Sequence, residues 1–503
     1  MRDASGNAGP GAPCVRVTAR GPGPRQIRRQ RQGAVLVRCG SSTGARLSRR
    51  ASMHSLTGAG RGESSSTGAR LSRRALLAGA GALASGGLLG ACAGGTPASR
   101  RGPITLLLLG TGDAGLYQQM LPRFEAAHPG ITVRLSLAIQ GHTAALTAAL
   151  LTGSGPDVLW DTDPAPYLDR PLLADLAPLA ARDHLDLGDW PAPVLAAYRT
   201  GDQLFMLPRS VSPGAYAVRT DRLAAAGVEV PTDGYTAAEL ATIWQHLTRP
   251  GQVGGKLVWS PTSTFYLTGW GASLVEPADP ARCALGRAAA ITCGQWVWDR
   301  FWTDRSAQGL QGQNPAPGFA AGSPAMDVLP CAAAPTAAGA YQNLAWRLAP
   351  FPRWPAGPAT FADSDFYAIP AASSHREAAW LLLTYLTSAE WGQAALAASL
   401  VCPARKSLWT AYLTAARQAA PPLRQQPLEI YRDAIQGGWT YPPQRFRHQQ
   451  DAVAVLGPFW QQIFGPGSTQ TVRDGFPAAA AAVDARERAD ARASVGTAGP
   501  LTG

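Results

Sequence analysis

Apolar residues along this 503-residue chain fall into distinct patterns, and each predicts a different element. From Ala75 to Leu89, small and aliphatic residues run for fifteen positions. A helix needs roughly 20 to cross a hydrocarbon core, so the run predicts the core of a signal peptide before it predicts a membrane span. Ile104–Leu109 is a continuous aliphatic run, the pattern of a parallel strand buried on both faces. Leu116, Met120, Leu121 and Phe124 then recur at helical spacing within Gly115–His128, and Pro129-Gly130 stops the helix. Ile131–Leu137 alternates apolar and polar positions and predicts a second strand. His142–Leu151 is helical, Gly153 and Gly155 end it, and Asp157–Trp160 makes a third short strand. Strands alternating with helices predict an α/β layer with a parallel sheet. Residues 103–503 are about twice the usual size of one domain and predict two cores.

The flanks of the first apolar run say more than the run itself. Arg73 and Arg74 precede it, and Leu89-Gly90-Ala91 lead directly into Cys92. Twin arginines, a short apolar stretch and a small-residue sequence before a cysteine resemble a twin-arginine lipoprotein leader. The resemblance implies export, lipidation at Cys92 and a body held at the outer face of the cell membrane. Ser41–Ala51 recurs letter for letter as Ser65–Ala75 with Met53 between the copies, and a chain starting at Met53 would have a 39-residue leader. Residues 1–52 are therefore expected to be upstream or duplicated leader without a fold, and 92–102 a flexible tether.

Charge changes meaning once the leader is set apart. The whole chain is +12, but fifteen arginines against Asp3 and Glu63 give residues 1–91 a net +13 and leave the remainder near −1. A basic body that would favour a nucleic-acid partner is thereby excluded. Lysine occurs only at Lys256 and Lys406, which reads as coding bias towards arginine. Cys283, Cys293, Cys331 and Cys402 lack paired metal spacing. A Cys283–Cys293 bridge is one reading and separate buried thiols the other.

Further along, short motifs occur in a fixed order. They are Phe124-Glu125 followed by His128-Pro129-Gly130-Ile131-Thr132-Val133, then Gly153-Ser154-Gly155-Pro156-Asp157-Val158, and then Gly201-Asp202-Gln203-Leu204-Phe205-Met206-Leu207-Pro208. Tyr216–Leu223 with Ala226-Gly227-Val228, Phe319-Ala320-Ala321-Gly322-Ser323-Pro324-Ala325-Met326, and Phe366-Tyr367-Ala368-Ile369-Pro370 follow. This succession resembles the carbohydrate-type extracellular solute-binding proteins that serve ABC importers. The resemblance implies a two-lobe, periplasmic-binding-protein-like α/β fold, with a hinge between the lobes and a ligand cleft. Lobe 1 is expected from 103–208 plus about 364–405, lobe 2 from 209–363 plus about 406–492, and a loose tail from 493. A carbohydrate ligand, ABC permease subunits and a monomeric state are implied, with no catalysis, cofactor or metal. Tyr216-Ala217-Val218-Arg219 departs from the family's usual tyrosine pair before an asparagine, so a contact sometimes made there is not carried over.

A sugar needs flat aromatic faces and a few hydrogen-bonding groups, and open α/β sheets bind beyond the carboxyl ends of their strands. Those ends carry Thr111, Asp113, Gln140, Trp160, Asp161 and Asp163. The second lobe offers Trp259, Trp270 and Trp346, with Trp439 beyond them, and the return crossover offers Asp363 and Asp365. Trp160 and Trp270 are the leading platform candidates; each tryptophan has the alternative of filling a core. The four acids Asp161, Asp163, Asp363 and Asp365 also keep a polyamine ligand open.

One motif points elsewhere. Gly110-Thr111-Gly112-Asp113-Ala114-Gly115 is a GxGxxG between a strand and a helix, as in an NAD-dependent oxidoreductase, but residues 135–140 lack the acid that would hold the ribose. Gly40-Ser41-Ser42-Thr43-Gly44 satisfies GxSxG inside the leader, where no strand or helix frames it. The scattered histidines have no metal spacing, and paired acids for glycoside hydrolysis do not follow from chain spacing.

Overall fold

The computed structural model describes residues 102–109, 114–138, 143–168, 172–263, 265–310 and 312–497. Arg73, Arg74 and Cys92 lie outside these residues, as do Thr111, Asp113 and Gln140.

Strands β1 (Gly102–Leu109), β2 (Ile131–Ala138) and β3 (Val158–Asp161) form the expected parallel unit, with β1 in the middle. The helix between β1 and β2, Ala114–Ala127, buries Leu116, Met120, Leu121 and Phe124, as the periodicity predicts, and Tyr117 with them. Gly130, at φ 95°, supplies the left-handed residue between this helix and β2. Burial along β1 alternates: Ile104, Leu106 and Leu108 are fully buried while Leu107 is half-buried. The expectation of a strand buried on both faces therefore fails, because one face carries less cover than the other.

Motif acids turn out to be structural ties. The Asp157 carboxylate accepts the Thr105 N–H on β1 at 2.9 Å, the Ser373 hydroxyl at 2.7 Å, and lies 3.2 Å from His375 Nδ1. Glu125 accepts the Val133 N–H at 2.8 Å and fixes the helix to β2. Near the Phe319–Gly322 turn, Arg219 donates to the Phe319 carbonyl at 3.1 Å while pairing with Asp221 at 2.8 Å. Each satisfies backbone or charge that a loop would otherwise leave open.

The rest of the sheet hangs on two long strands. β4 (Met206–Arg219), β5 (Gly255–Lys256), β6 (Ala307–Gln308), β7 (Met326–Pro330), β8 (Trp346–Ala349), β9 (Thr360–Ala368) and β10 (Thr440–Tyr441) complete a ten-stranded sheet of order β6-β5-β7-β4-β9-β3-β1-β2, with β8 on β4 and β10 on β9. β4 pairs with β9 over Met206–Pro213 and with β7 and β8 over Gly214–Arg219. It is antiparallel to each, so a purely parallel sheet ends here.

Two hydrophobic cores flank this crossing. The first contains Ile104, Phe124, Val158, Trp160, Trp380 and Trp391; the second contains Trp244, Trp259, Tyr266, Val297, Trp354 and Trp460. Of the carboxy-terminal stretch, Trp409–Ile435 contributes to the first core and Phe446–Val483 to the second. Cys283 and Cys293 are free buried thiols, so the expectation of a bridge between them yields to its alternative. Cys331 and Cys402 are buried too, and they touch each other.

Candidate functional site

The two crossing strands set the site. In the β4–β9 ladder Asp363 lies opposite Ser212 and Asp365 opposite Ser210, with a register shift just after Asp365. Strand alternation puts Ala362 into the core and turns Phe361 and Asp363 to the other face. That face is the floor of a pocket of about 650 Å³, counted out to its open mouth. Lys256, Val258, Thr262, Ser263 and Phe265 form one wall, Val328 and Pro330 of β7 another, and Tyr441 and Pro443 a third. Gly214 of β4 is required beneath it: a Cβ there would overlap the Phe361 ring.

Charge in the pocket is sparse and specific. Asp363 is open to water yet hemmed in by surrounding protein, and this partial desolvation, with the negative charge of Asp365, pushes its pKa up to about 6. Lys256 Nζ lies 3.4 Å from Asp327, whose carboxyl burial pushes up while the ammonium partly opposes the shift. A cation, an acid poised near neutrality, two hydroxyls and the Tyr441 ring therefore converge on one apolar-walled space. Such a set can hold a neutral polyhydroxylated molecule by hydrogen bonds and ring contact.

Beside the pocket runs a second contact chain. The buried Arg209 guanidinium pairs with Asp365 at 2.9 Å and sits over the Trp160 ring, 4.3 Å from its centroid. Trp160 is thus covered by Arg209 and 9% exposed, within the first core. Asp161 is occupied with turn geometry, accepting the Thr162 N–H at 2.6 Å, the Asp163 N–H at 3.3 Å and the Tyr167 hydroxyl at 2.5 Å. Its negative charge and burial hold the Tyr167 phenol well above the ordinary range, burial being the larger cause. Asp163 pairs with Arg445 at 2.5 Å, a bridge from the end of β3 to the segment entering the second core. Arg445, Tyr441 and Pro443 also line an open groove of about 1300 Å³ that continues to Pro193, Arg199 and Thr200.

The sequence-derived residues thus separate. Asp363 lines the pocket, and Asp365 stands two residues away, engaged with Arg209. Trp259 is fully buried in the second core, its ring 5.4 Å from Trp460 and stacked at 30°, and has no surface to offer a solute. Trp270 is half-buried against the same core, 6.2 Å from Trp296, and is not a wall of the pocket. Trp346 is buried beside Tyr341, and Trp439, 39% exposed, lines a separate depression with Phe351 and Pro358. Lys256, Thr262, Ser263 and Tyr441 carry no local sequence signature, and the scarcity of lysine reads only as coding bias.

A sheet that passes between two cores on long crossing strands, with a pocket at the crossing, defines a two-lobe binding protein. The sequence pattern of the family described as bacterial extracellular solute-binding protein matches residues 110–393, and the chain belongs to that family. Among solved structures it is similar to the sugar-binding protein MalE from Xanthomonas citri, with 17% identity, 79% of this chain and 100% of that chain covered, and a TM-score of 0.63. It is also similar to a sugar transporter protein from Rhizobium etli in an open conformation, with 17% identity, coverage of 76% and 99%, and a TM-score of 0.62. The cyclic alpha-maltosyl-1,6-maltose binding protein from Arthrobacter globiformis gives 18%, 77% and 100%, and 0.61. These likenesses establish the two-lobe fold. No curated protein sequence matches the chain.

Proposed function

We propose that this chain is an exported, lipid-anchored binding protein that captures a sugar or oligosaccharide between its lobes and hands it to an ABC permease. The observation that carries the reading is the pocket at the β4–β9 crossing, where Asp363 and Lys256 face aromatic and apolar walls. A neutral sugar uses both charges as hydrogen-bond partners and lays a C–H face on Tyr441 or Phe361. The groove beyond Tyr441 gives an oligosaccharide room to extend towards Arg445. Hinge bending of the crossing strands closes the lobes. Trp160 contributes through Arg209, as support for Asp365 more than as a stacking platform.

The polyamine alternative draws less support. Asp163 and Asp365 already face arginines and Asp161 is spent on its turn, so one free-facing acid beside a lysine is a poor host for several ammonium groups. An oxidoreductase built on Gly110–Gly115 would need an acid near residues 135–140 to hold the ribose, and none is there.

A thermal-shift screen with mono- and oligosaccharides, followed by calorimetry, tests the ligand class. At least one sugar should raise the melting temperature and bind at one site; stabilisation by polyamines alone, with all sugars inert, would contradict the reading. The family is extracellular, and no described helix is long and apolar enough to cross a membrane. In this reading the anchor is a lipid on Cys92: Cys92→Ala should abolish incorporation of radiolabelled fatty acid, and undiminished labelling would refute the anchor.

A further inference from the structure

We infer that Cys331 and Cys402 form a disulfide in the exported protein. The two residues are 71 positions apart in sequence, yet the Cys402 thiol donates to Cys331 Sγ at 2.9 Å. A disulfide closes the sulfurs to about 2.05 Å, a further approach of under about 1 Å. Both side chains lie in the first core, at 0% and 2% exposure. The Tyr412 hydroxyl closes the cluster, accepting from Cys331 Sγ at 3.1 Å and lying 3.5 Å from Cys402 Sγ. All four thiols are free in this structure, and Cys283 and Cys293 sit apart from this pair, in the second core.

The position gives the bond a consequence. Cys331 directly follows Pro330, the end of β7, and Pro330 and Val328 line the solute pocket. The Cys402 carbonyl accepts the Val211 N–H of β4 at 3.3 Å, and Pro403 bridges to Ser210 on the same strand. A covalent link here joins a pocket wall to the segment that edges the crossing strand, across a long loop of chain. Cross-linking such a loop chiefly restricts the unfolded chain and so raises the melting temperature.

Oxidation needs an external acceptor, and the class proposed is an extracytoplasmic thiol oxidase carrying a reactive disulfide. The thiolate of one cysteine attacks that disulfide, forms a mixed disulfide and expels one oxidase thiolate. The second cysteine's thiolate attacks the mixed disulfide at the cysteine sulfur, forms the Cys331–Cys402 bond and expels the other oxidase thiolate. The two thiol protons pass to solvent, and the oxidase is reduced by two electrons. Burial pushes the Cys331 thiol well above its ordinary range, so the step proceeds from a locally opened or still-folding chain rather than from the closed core.

The inference rests on the export part of the proposed function and not on the solute. The full chain is expressed in an exporting bacterium, cells are fractionated, and the protein in the exported fraction is denatured, alkylated without reductant and mapped by mass spectrometry. Its presence in that fraction reports on export; its thiol state reports on the bond. A peptide pair joined through Cys331 and Cys402, with Cys283 and Cys293 alkylated, is expected. Reductant should lower the melting temperature of this protein by about 5 °C, while Cys331→Ser should be indifferent to reductant. Alkylated Cys331 and Cys402 in the exported protein, a link to a different cysteine, or melting of the parent unaffected by reductant would each overturn the inference; the mapping needs no variant.

Discussion

Trp259→Ala is expected to lower the stability of the protein by about 3–5 kcal/mol, the range for removing a large aromatic side chain from a packed core. The ring has no exposed surface and is surrounded by Trp460, Tyr266 and Phe464, with centroids at 5.4, 6.0 and 5.5 Å. Trp460 and Phe464 come from one helix, Gln449–Phe464, and Tyr266 from the separate turn Phe265–Gly269, so closing the cavity would require two elements to move together. Urea unfolding followed by circular dichroism measures the loss. A variant that melts like the parent but no longer binds sugar would return Trp259 to the role of a ligand platform. Trp439→Ala, at an exposed ring, serves as the comparison and should cost well under half as much.

Asp363→Ala is expected to weaken solute binding by about 10- to 100-fold while leaving the fold intact. A carboxylate that accepts a hydrogen bond from a ligand hydroxyl contributes roughly 1.5–3 kcal/mol, which converts to that range. The side chain is exposed, so its removal opens no cavity. Titration calorimetry on parent and variant provides the measurement, and equal affinities would remove Asp363 from the site. The same carboxyl predicts a pH dependence. With its pKa pushed up to about 6, it is charged at pH 7.5 and mostly protonated at pH 5, so binding that needs the carboxylate weakens as the pH falls through 6. In the empty protein the sign is opposite: between about pH 4 and 6 the folded state holds a proton that the unfolded chain has released, so this group favours folding more as the pH falls. Asp363→Asn should flatten both dependences.

Legibility in the sequence followed the range of the interactions concerned. The strand–helix–strand opening could be read because Leu116, Met120, Leu121 and Phe124 are a local pattern, and local patterns survive without tertiary context. The family motifs identified the fold, but Asp157 and Arg219 within or beside them serve loops and strand ends rather than a ligand. Asp363 was legible as a carboxylate on the return crossover. The tryptophans were not, because burial of an indole depends on what other segments bring to it: Phe464 and Trp460, some 200 residues downstream, are what enclose Trp259. Tyr441 is the converse case, a wall residue brought to the pocket by the pairing of a two-residue strand, Thr440–Tyr441, with Thr360 and Phe361. Lys256 was not legible as a site residue, because the rarity of lysine reads as coding bias and only its place beside Asp327 turns it into chemistry.

The pocket at the crossing strands is proposed to hold the solute. A crystal structure of the protein with the tightest-binding sugar from the screen tests it most directly. Sugar hydroxyls within hydrogen-bonding distance of the Asp363 carboxylate and Lys256 Nζ, with a ring face against Tyr441 or Phe361, are the result expected. A sugar seated instead in the depression beside Trp439, or against Trp270, with no contact to Asp363, would contradict this placement.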